Sequence, residues 1–356
     1  MRPFKTALKA DIPEHKGGKM SLTAKERVLR VLNGEETDAL PVISVCQYAT
    51  YGLMEKTGAS WPEAHFDGVK MAELSKGGVT VLGLDAVRVP YCQTVEAEIF
   101  GAVLKDGGKT HIPSVDKHPY KIGDEPLIPE NFVEKGRIPE ILKAVRILKK
   151  EVGEETAVLG SIVGAFSVAT SLVGIPPMLK ATFKAPESIE PYLETAEQTA
   201  EQYAKAMVEA GADAIVIEDM MASLDMISPK TYRNLAAPYE KRLIDAIDVP
   251  VILHICGKLD AVMSDIADTG ANAISVESSV DIPKAREIFA ERGIKTPIIG
   301  AVHPIKALLE GDKSEVEAQV KKSIRDGVAC ISPGCAVAPD TPIENIVAMV
   351  DAVRGS

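Results

Sequence analysis

His254, Cys256 and Cys335 have the side chains and the placement to hold a metal ion. His254 and Cys256 stand as His-Ile-Cys-Gly at the end of one apolar run, and Cys335 follows Pro333-Gly334 at the end of another. Two thiolates and one imidazole suit zinc, and three protein ligands leave a fourth position open. Structural zinc usually relies on tight Cys-x-x-Cys pairs, whereas these cysteines are 79 positions apart, which fits a catalytic site better. His-x-Cys alone is a weak signal, because buried cysteine is common and a strand histidine is often satisfied by backbone. Cys335 on the same face gives the pattern its weight. Glu277 and Glu218 are further candidates as ligands, bases or plain mouth carboxylates. Glu277 closes the strand beside the one carrying His254, so it is the candidate for the fourth zinc position while no substrate is bound.

Only a fold that joins distant strand ends can assemble such a site, and an internal repeat supplies one. Gly83-Leu-Asp-Ala-Val-Arg-Val-Pro90, Gly211-Ala-Asp-Ala-Ile-Val-Ile-Glu218, Gly270-Ala-Asn-Ala-Ile-Ser-Val-Glu277 and Gly327-Val-Ala-Cys-Ile-Ser-Pro-Gly334 share one pattern. Each glycine ends a helix, and each apolar run after it reads as a buried parallel strand. The glycines at 211, 270 and 327 are 59 and 57 residues apart, the length of two strand–helix units. Strands of a second type fall between them, at 41–46, 157–163, 250–254 and 297–302. Helices expected at 192–210, 229–247, 258–269, 283–292, 314–326 and 342–354 separate the later strands. The reading is a single α/β (β/α)8 TIM barrel; an open doubly wound sheet is the rival, and eight units with a two-unit repeat favour closure. Barrel enzymes keep their chemistry at the carboxyl ends of the strands. Those ends carry Gln47, Tyr91, Gly164, Glu218, His254 with Cys256, Glu277, His303 and Cys335, while the opposite ends offer proline, glycine and small polar residues.

At 356 residues the chain exceeds the roughly 250 of a plain barrel. Residues 1–19 are charged and aperiodic, a flexible extension or a remnant of cloning, and the barrel domain runs from 20 to 356. Thr23-Ala-Lys-Glu26 is a capping box opening an amino-terminal helix through Leu32. The other surplus is an insertion at about 92–155, between the second and third strands, where Val95, Ala97 and Ile99 alternate, Asp106-Gly107-Gly108 makes a turn and prolines punctuate a loop. A net charge of −11 without a basic run argues against nucleic acid and anionic membranes as partners. No segment approaches the about 18 apolar residues of a membrane span and no signal-peptide core opens the chain, so a cytoplasmic enzyme is expected. Of the five cysteines, Cys330 reads as core, and Cys46 and Cys92 at strand ends stay open between core and site.

From about residue 21 to 354 the chain resembles the uroporphyrinogen decarboxylase superfamily, and within it the zinc methyltransferases that act with corrinoid proteins in methanogenic archaea. The shared framework is Gly160-Ser-Ile-Val-Gly164-Ala-Phe-Ser-Val-Ala-Thr, then Gly300-Ala-Val-His-Pro304, then Gly334-Cys335-Ala-Val-Ala-Pro339-Asp340. In the methyltransferase branch the counterparts of His254, Cys256 and Cys335 are the zinc ligands. The decarboxylase branch carries an arginine-rich stretch after the first strand and a catalytic aspartate after the second. Here those places hold Cys46-Gln-Tyr-Ala-Thr-Tyr-Gly52 and Val89-Pro-Tyr-Cys92-Gln, and a substrate with eight carboxylates would lack its counter-charges. The resemblance implies zinc-activated transfer of a methyl group from a methylcobamide, carried by a partner corrinoid protein, to the thiol of coenzyme M in methanogenesis. Decarboxylation, or a zinc methyltransferase of the same superfamily acting on another thiol, are the alternatives. No Asp-x-His-x-x-Gly signature for gripping cobalt occurs, so the corrinoid is expected on a separate protein docking over the barrel mouth, against the apolar loop 168–178 and the insertion. Gln47, Tyr48, Tyr91 and His303 are the candidate donors to the sulfonate of coenzyme M.

Overall fold

The computed structural model of this chain describes residues 21–355; the extension expected at 1–19 lies outside them. One parallel sheet of seven strands runs in the order β1 (Ala86–Val89), β4 (Ala157–Val163), β5 (Ala214–Glu218), β6 (Val251–His254), β7 (Ala273–Ser275), β8 (Ile298–Val302) and β9 (Cys330–Pro333). A separate antiparallel hairpin pairs β2 (Val103–Lys105) with β3 (Ser114–Lys117). Every residue of the seven parallel strands is buried, which is why each reads as a continuous apolar run rather than an alternating one.

The strand expected at 41–46 is replaced by a looser connection. It makes a single bridge, Val42 to Ile331, yet it bonds to both edges of the sheet. Ile43 N–H donates to the Ile331 carbonyl (2.9 Å), Ile331 N–H to Pro41 (3.0 Å), and Asp85 N–H to Val42 (2.8 Å). A longer ladder is prevented locally. Pro41 has no N–H to give, the Val42 N–H is taken by the Asp85 carboxylate at 2.7 Å, and the Ser44 hydroxyl turns back onto the Cys46 carbonyl at 2.9 Å.

The helix Ala24–Leu32 begins at the capping box as expected, with Thr23 and Glu26 bonding reciprocally. Its buried Val28, Val31 and Leu32 join Ile43, Val45, Ala86, Leu159, Val216, Ile252, Ile299 and Cys330 in one cluster. Burying side chains of this size contributes about 1.5–3 kcal/mol each, enough to hold the helix across the amino-terminal end of the strands. Side chains alternate along a strand, so these residues mark the inward positions. Continuing at intervals of two toward the carboxyl ends, the next inward residues are Arg88, Ser161, Glu218, His254, Ser275, Ala301 and Ser332, all buried and all but Ala301 polar. The lumen thus changes from apolar to polar along its axis, and the parallel register sets Glu218 beside His254 and His254 beside Ser275.

The segment 92–155 departs from its expected form in two places. Val95–Ile99 is a five-residue helix rather than an extended run, with Val95, Glu96 and Ala97 all buried. Ile138–Glu151 is a barrel-type helix that packs on Gly68–Thr80 and leads into β4. The Asp106-Gly107-Gly108 turn does lie in the β2–β3 connection, with the Asp106 carboxylate accepting from Gly108 N–H at 3.0 Å. Residues 168–178 are not a loop either: they span the helices Ala165–Val173 and Ile175–Lys184. Their apolar character reflects packing, since Val168, Ala169, Leu172, Val173 and Met178 are all buried.

Candidate metal centre and barrel lumen

His254 ends β6, and its ring has both nitrogens committed in direction. Nδ1 lies 3.0 Å from the Ser275 hydroxyl of β7, which leaves Nε2 facing Cys256 Sγ at 3.3 Å. Gly257 follows Cys256 with φ +74, a left-handed turn that folds the chain away directly after the thiol. Cys335, arriving from the end of β9, places its Sγ 3.4 Å from that of Cys256. Its loop is fastened from the other side: Gln47 donates its amide to the Val337 carbonyl, and Val337 N–H returns a bond to Gln47 at 2.9 Å. Ligands on a tetrahedral zinc stand about 3.5–3.8 Å apart, given Zn–S near 2.3 Å and Zn–N near 2.0 Å. The spacings of His254, Cys256 and Cys335 fit such an ion with only a small expansion. Glu277, half-buried just beyond β7, has a carboxylate oxygen within 4.8 Å of the sulfurs of both Cys256 and Cys335.

The electrostatics of the cluster centre on Cys335. Hydrogen bonds from Cys256, then Cys46 and His254, hold its thiol well below the ordinary range against the opposing effect of burial. Cys256, donating to it, is pushed well up. Burial, the largest single influence, would lower His254, but the bond to Cys335 together with the charges of Cys335, Glu218 and Glu277 outweighs it and the ring is raised. Glu277 is raised by burial and then by the neighbouring Cys335. Protons and a soft cation therefore compete for one small volume, and zinc binding would release protons from it.

Cys46 is a sulfur whose role the sequence left open. It is buried, and its Sγ lies within 4.8 Å of ligand atoms of both His254 and Cys335. Cys330 is core, as expected, and Cys92 lies apart, accepting from Arg137 Nη1 at 3.0 Å. Beneath the cluster Arg88 and Glu218 pair at 2.5 Å with only 2% of either side chain exposed. Ser161 donates to the same Glu218 oxygen at 2.6 Å, and Gln93 donates to the other. Arg88 was overlooked because its place, one residue before Val89-Pro-Tyr-Cys92-Gln, is a strand position; the period-two alternation of its strand was the signal that would have found it.

The four expected sulfonate donors are not gathered at the metal cluster. The Tyr48 hydroxyl donates to the Ser75 carbonyl at 2.8 Å and that of Tyr91 to Met71 at 3.1 Å, both in the core. Gln47 spends its side chain on Val337 and on Ala49 N–H. His303 caps the helical turn after it, its Nδ1 accepting from Ile305 N–H at 3.2 Å, and lines a cavity of about 440 Å³ with Ser278 and Gln319.

Known proteins place this architecture. Residues 23–356 match the family model described as uroporphyrinogen decarboxylase (URO-D). The methylcobamide:CoM methyltransferase MtbA of Methanosarcina mazei is 40% identical over 336 residues, covering 93% of this chain and 98% of that protein. The methylcobamide:CoM methyltransferase MtaA of Methanosarcina barkeri is 36% identical over 332 residues, covering 93% and 97%. A solved methyltransferase from Methanosarcina mazei superposes with a TM-score of 0.90 at 36% identity, over 94% of this chain and 99% of the other. With these matches across nearly the whole chain, the protein is a methyltransferase and belongs to the uroporphyrinogen decarboxylase family, in the branch of the methylcobamide:coenzyme M methyltransferases.

Proposed function

We propose that this protein moves a methyl group from a methylcobamide, carried by a partner corrinoid protein, to the thiol of coenzyme M. In this reading one zinc per chain is held by His254, Cys256 and Cys335, with Glu277 in the fourth position until a thiol enters. The domain is one closed (β/α)8 barrel from about residue 20, with residues 41–45 as its reduced first strand. The observation that carries the reading is the convergence of two thiols and an oriented imidazole, at 3.3 and 3.4 Å, at the carboxyl end of the barrel strands.

Zinc bound there supplies the acidity that keeps a substrate thiol as thiolate at neutral pH, well below the ordinary thiol value of about 8.5. The chain does the rest. Ser275 fixes the His254 ring, Gln47 fixes the Cys335 loop, and the Gly257 turn presents Cys256 to the lumen. The apolar lower lumen, closed by Val28, Val31 and Leu32, keeps water from entering beneath the site. In the overall step a carbon–sulfur bond forms and the carbon–cobalt bond breaks, cobalt keeps the electron pair as Co(I), and the thiol proton passes to solvent. Two cysteinates make the loaded site formally neutral, which preserves electron density on the entering sulfur.

The test is methyl transfer from methylcobalamin to coenzyme M with metal analysis of the same sample. Turnover with about one zinc per chain is expected. Fully zinc-loaded protein that makes no methyl-coenzyme M refutes the reading. The lumen suits a small thiol better than a porphyrinogen, since Arg88 is the only lysine or arginine on the seven parallel strands, one cation against eight carboxylates.

A further inference from the structure

The seven parallel strands carry one cation, Arg88, and one carboxylate, Glu218, and the two meet inside the lumen. Burying such a pair is poor value for stability: the desolvation of two ions roughly cancels their attraction, and apolar residues of equal volume do as well or better. Its position, on the inward face below His254, calls for another account.

The hydrogen-bond inventory is unbalanced in a definite direction. Both Glu218 oxygens are engaged: Oε1 accepts from Arg88 and Ser161, and Oε2 accepts from Gln93. A guanidinium has five N–H donors, and Arg88 commits Nη2 alone to a partner. Its Nε is fully buried with no hydrogen-bond partner at all. A buried donor left in this way costs about 1–3 kcal/mol, and nothing on the neighbouring strands is placed to satisfy it. The unused donors of Arg88 therefore outnumber the one acceptor site left on Glu218 Oε2, an excess that is the complement of an anion. Arg88 is also tied to the metal cluster by register, since its partner Glu218 stands opposite His254 in the β5–β6 ladder.

We propose that Arg88, backed by Glu218, Ser161 and Gln93, is the subsite for the anionic end of a small thiol substrate whose sulfur lies at the His254–Cys256–Cys335 cluster. This rests on the thiol-alkylation reading above and deepens it. By this assignment a short acid such as a mercaptoalkane sulfonate binds with its sulfur at the metal cluster and its anionic end at the spare guanidinium edge. Glu218 does not compete for the cation's free edge, because both of its oxygens are already occupied; its role is to hold the guanidinium still. A neutral thiol of the same length reaches the metal but leaves the Arg88 donors unmet, so the site discriminates by charge.

The test is the ratio of kcat/KM for coenzyme M to that for 2-mercaptoethanol, with methylcobalamin as donor. In Arg88→Gln the ratio should fall roughly 10–100-fold, the loss of one or two charge-assisted hydrogen bonds, most of it in KM, with zinc content retained. Because Arg88→Gln strands Glu218, the double variant Arg88→Gln/Glu218→Gln serves as the neutral, near-isosteric partner and should show the same collapse. A ratio kept within about threefold of wild type in a folded, zinc-loaded double variant overturns the proposal. Failure of the underlying reading looks different: wild-type enzyme would then methylate neither thiol. Calorimetric binding of ethanesulfonate, which has no thiol, still decides the subsite in that event. Binding to wild type that is lost in the double variant supports it, and no binding to wild type, or equal binding to both, overturns it.

Discussion

Ser275 offers the cleanest way to ask whether the imidazole is built to hold a metal. Its hydroxyl is fully buried and 3.0 Å from His254 Nδ1. When Nε2 ligates a metal, Nδ1 carries the proton and must donate it, and in Ser275→Ala that donor is left buried without an acceptor. The penalty for such a group is about 1–3 kcal/mol, and each 1.4 kcal/mol is tenfold in an equilibrium constant. Zinc affinity should therefore weaken by roughly 10–100-fold, the range found when outer partners of metal-binding histidines are removed. The metal-free protein escapes most of the penalty, because the ring can take the other tautomer and donate from Nε2 toward the Cys256 and Cys335 sulfurs. Competition with a chelator of known affinity gives the zinc constant, and urea melts of the metal-free forms give the rest. Zinc affinity within threefold of wild type, or a loss of stability that appears wholly in the metal-free protein, would refute the claim that Ser275 orients a ligand.

Replacing Cys335 or Cys256 by alanine should remove most of the zinc and the methyl-transfer activity while the far-ultraviolet dichroism stays that of a folded barrel, because both residues sit at the carboxyl ends of the strands rather than on the stability face. X-ray absorption on zinc-loaded protein should count two sulfurs without substrate and three with coenzyme M, and Glu277→Gln should alter only the light-atom shell of the free form. Three sulfurs before substrate is added would assign the fourth position to Cys46 instead. His65, buried between Trp61 and Tyr91, is pulled down from 6.5 to about 3 by burial and then by Arg137. A depressed folded value means its contribution is present above pH 6.5 and is lost as pH falls, because the unfolded chain binds a proton the native ring refuses. Wild type should lose about 2 kcal/mol more than His65→Phe between pH 7 and 5. Urea midpoints at the two pH values check this, and parallel curves would show that the ring is protonated in place.

The repeat at Gly83, Gly211, Gly270 and Gly327 made the strands legible because a buried parallel strand has no choice but to be apolar on both faces. The same repeat hid the first strand's weakness. Val42 and Ile43 look like any core pair, and the contacts that prevent a ladder, such as the Asp85 carboxylate taking the Val42 N–H, come from outside the pair. The convergence of His254, Cys256 and Cys335 was legible for a different reason: histidine and cysteine at strand ends announce themselves by type. Their supports do not. Ser275, Gln47 and Ser161 are ordinary residues whose value comes from a single contact across the chain. Tyr48 and Tyr91 spend their hydroxyls in the core because a strand-end tyrosine can as readily turn its hydroxyl to a backbone carbonyl, and at Ser75 and Met71 each finds one.

Arg88 shows where the missing information was held. Its strand reads Ala-Val-Arg-Val, and composition suggests a stray cation among apolar neighbours. Counting by two from Ala86, which packs in the lumen cluster, puts the guanidinium inside; counting by two from Ala214 puts the Glu218 carboxylate inside as well. Two opposite charges at inward positions on strands separated by one neighbour in the sheet can reach each other only across that neighbour, β4, where Ser161 stands at the inward position between them. The pair, its hydroxyl and the donor surplus they create follow from parity and strand order together. Neither follows from parity alone, because strand order is a property of the whole sheet. Mutating Ser161 to alanine therefore tests the arithmetic. It should weaken the hold on Glu218 without touching zinc, and so lower the preference for a charged over a neutral thiol less than loss of Arg88 does. A Ser161→Ala protein with diminished zinc content instead would mean that Ser161 supports the metal cluster, and that the division of the upper lumen into a metal end and an anion end is wrong.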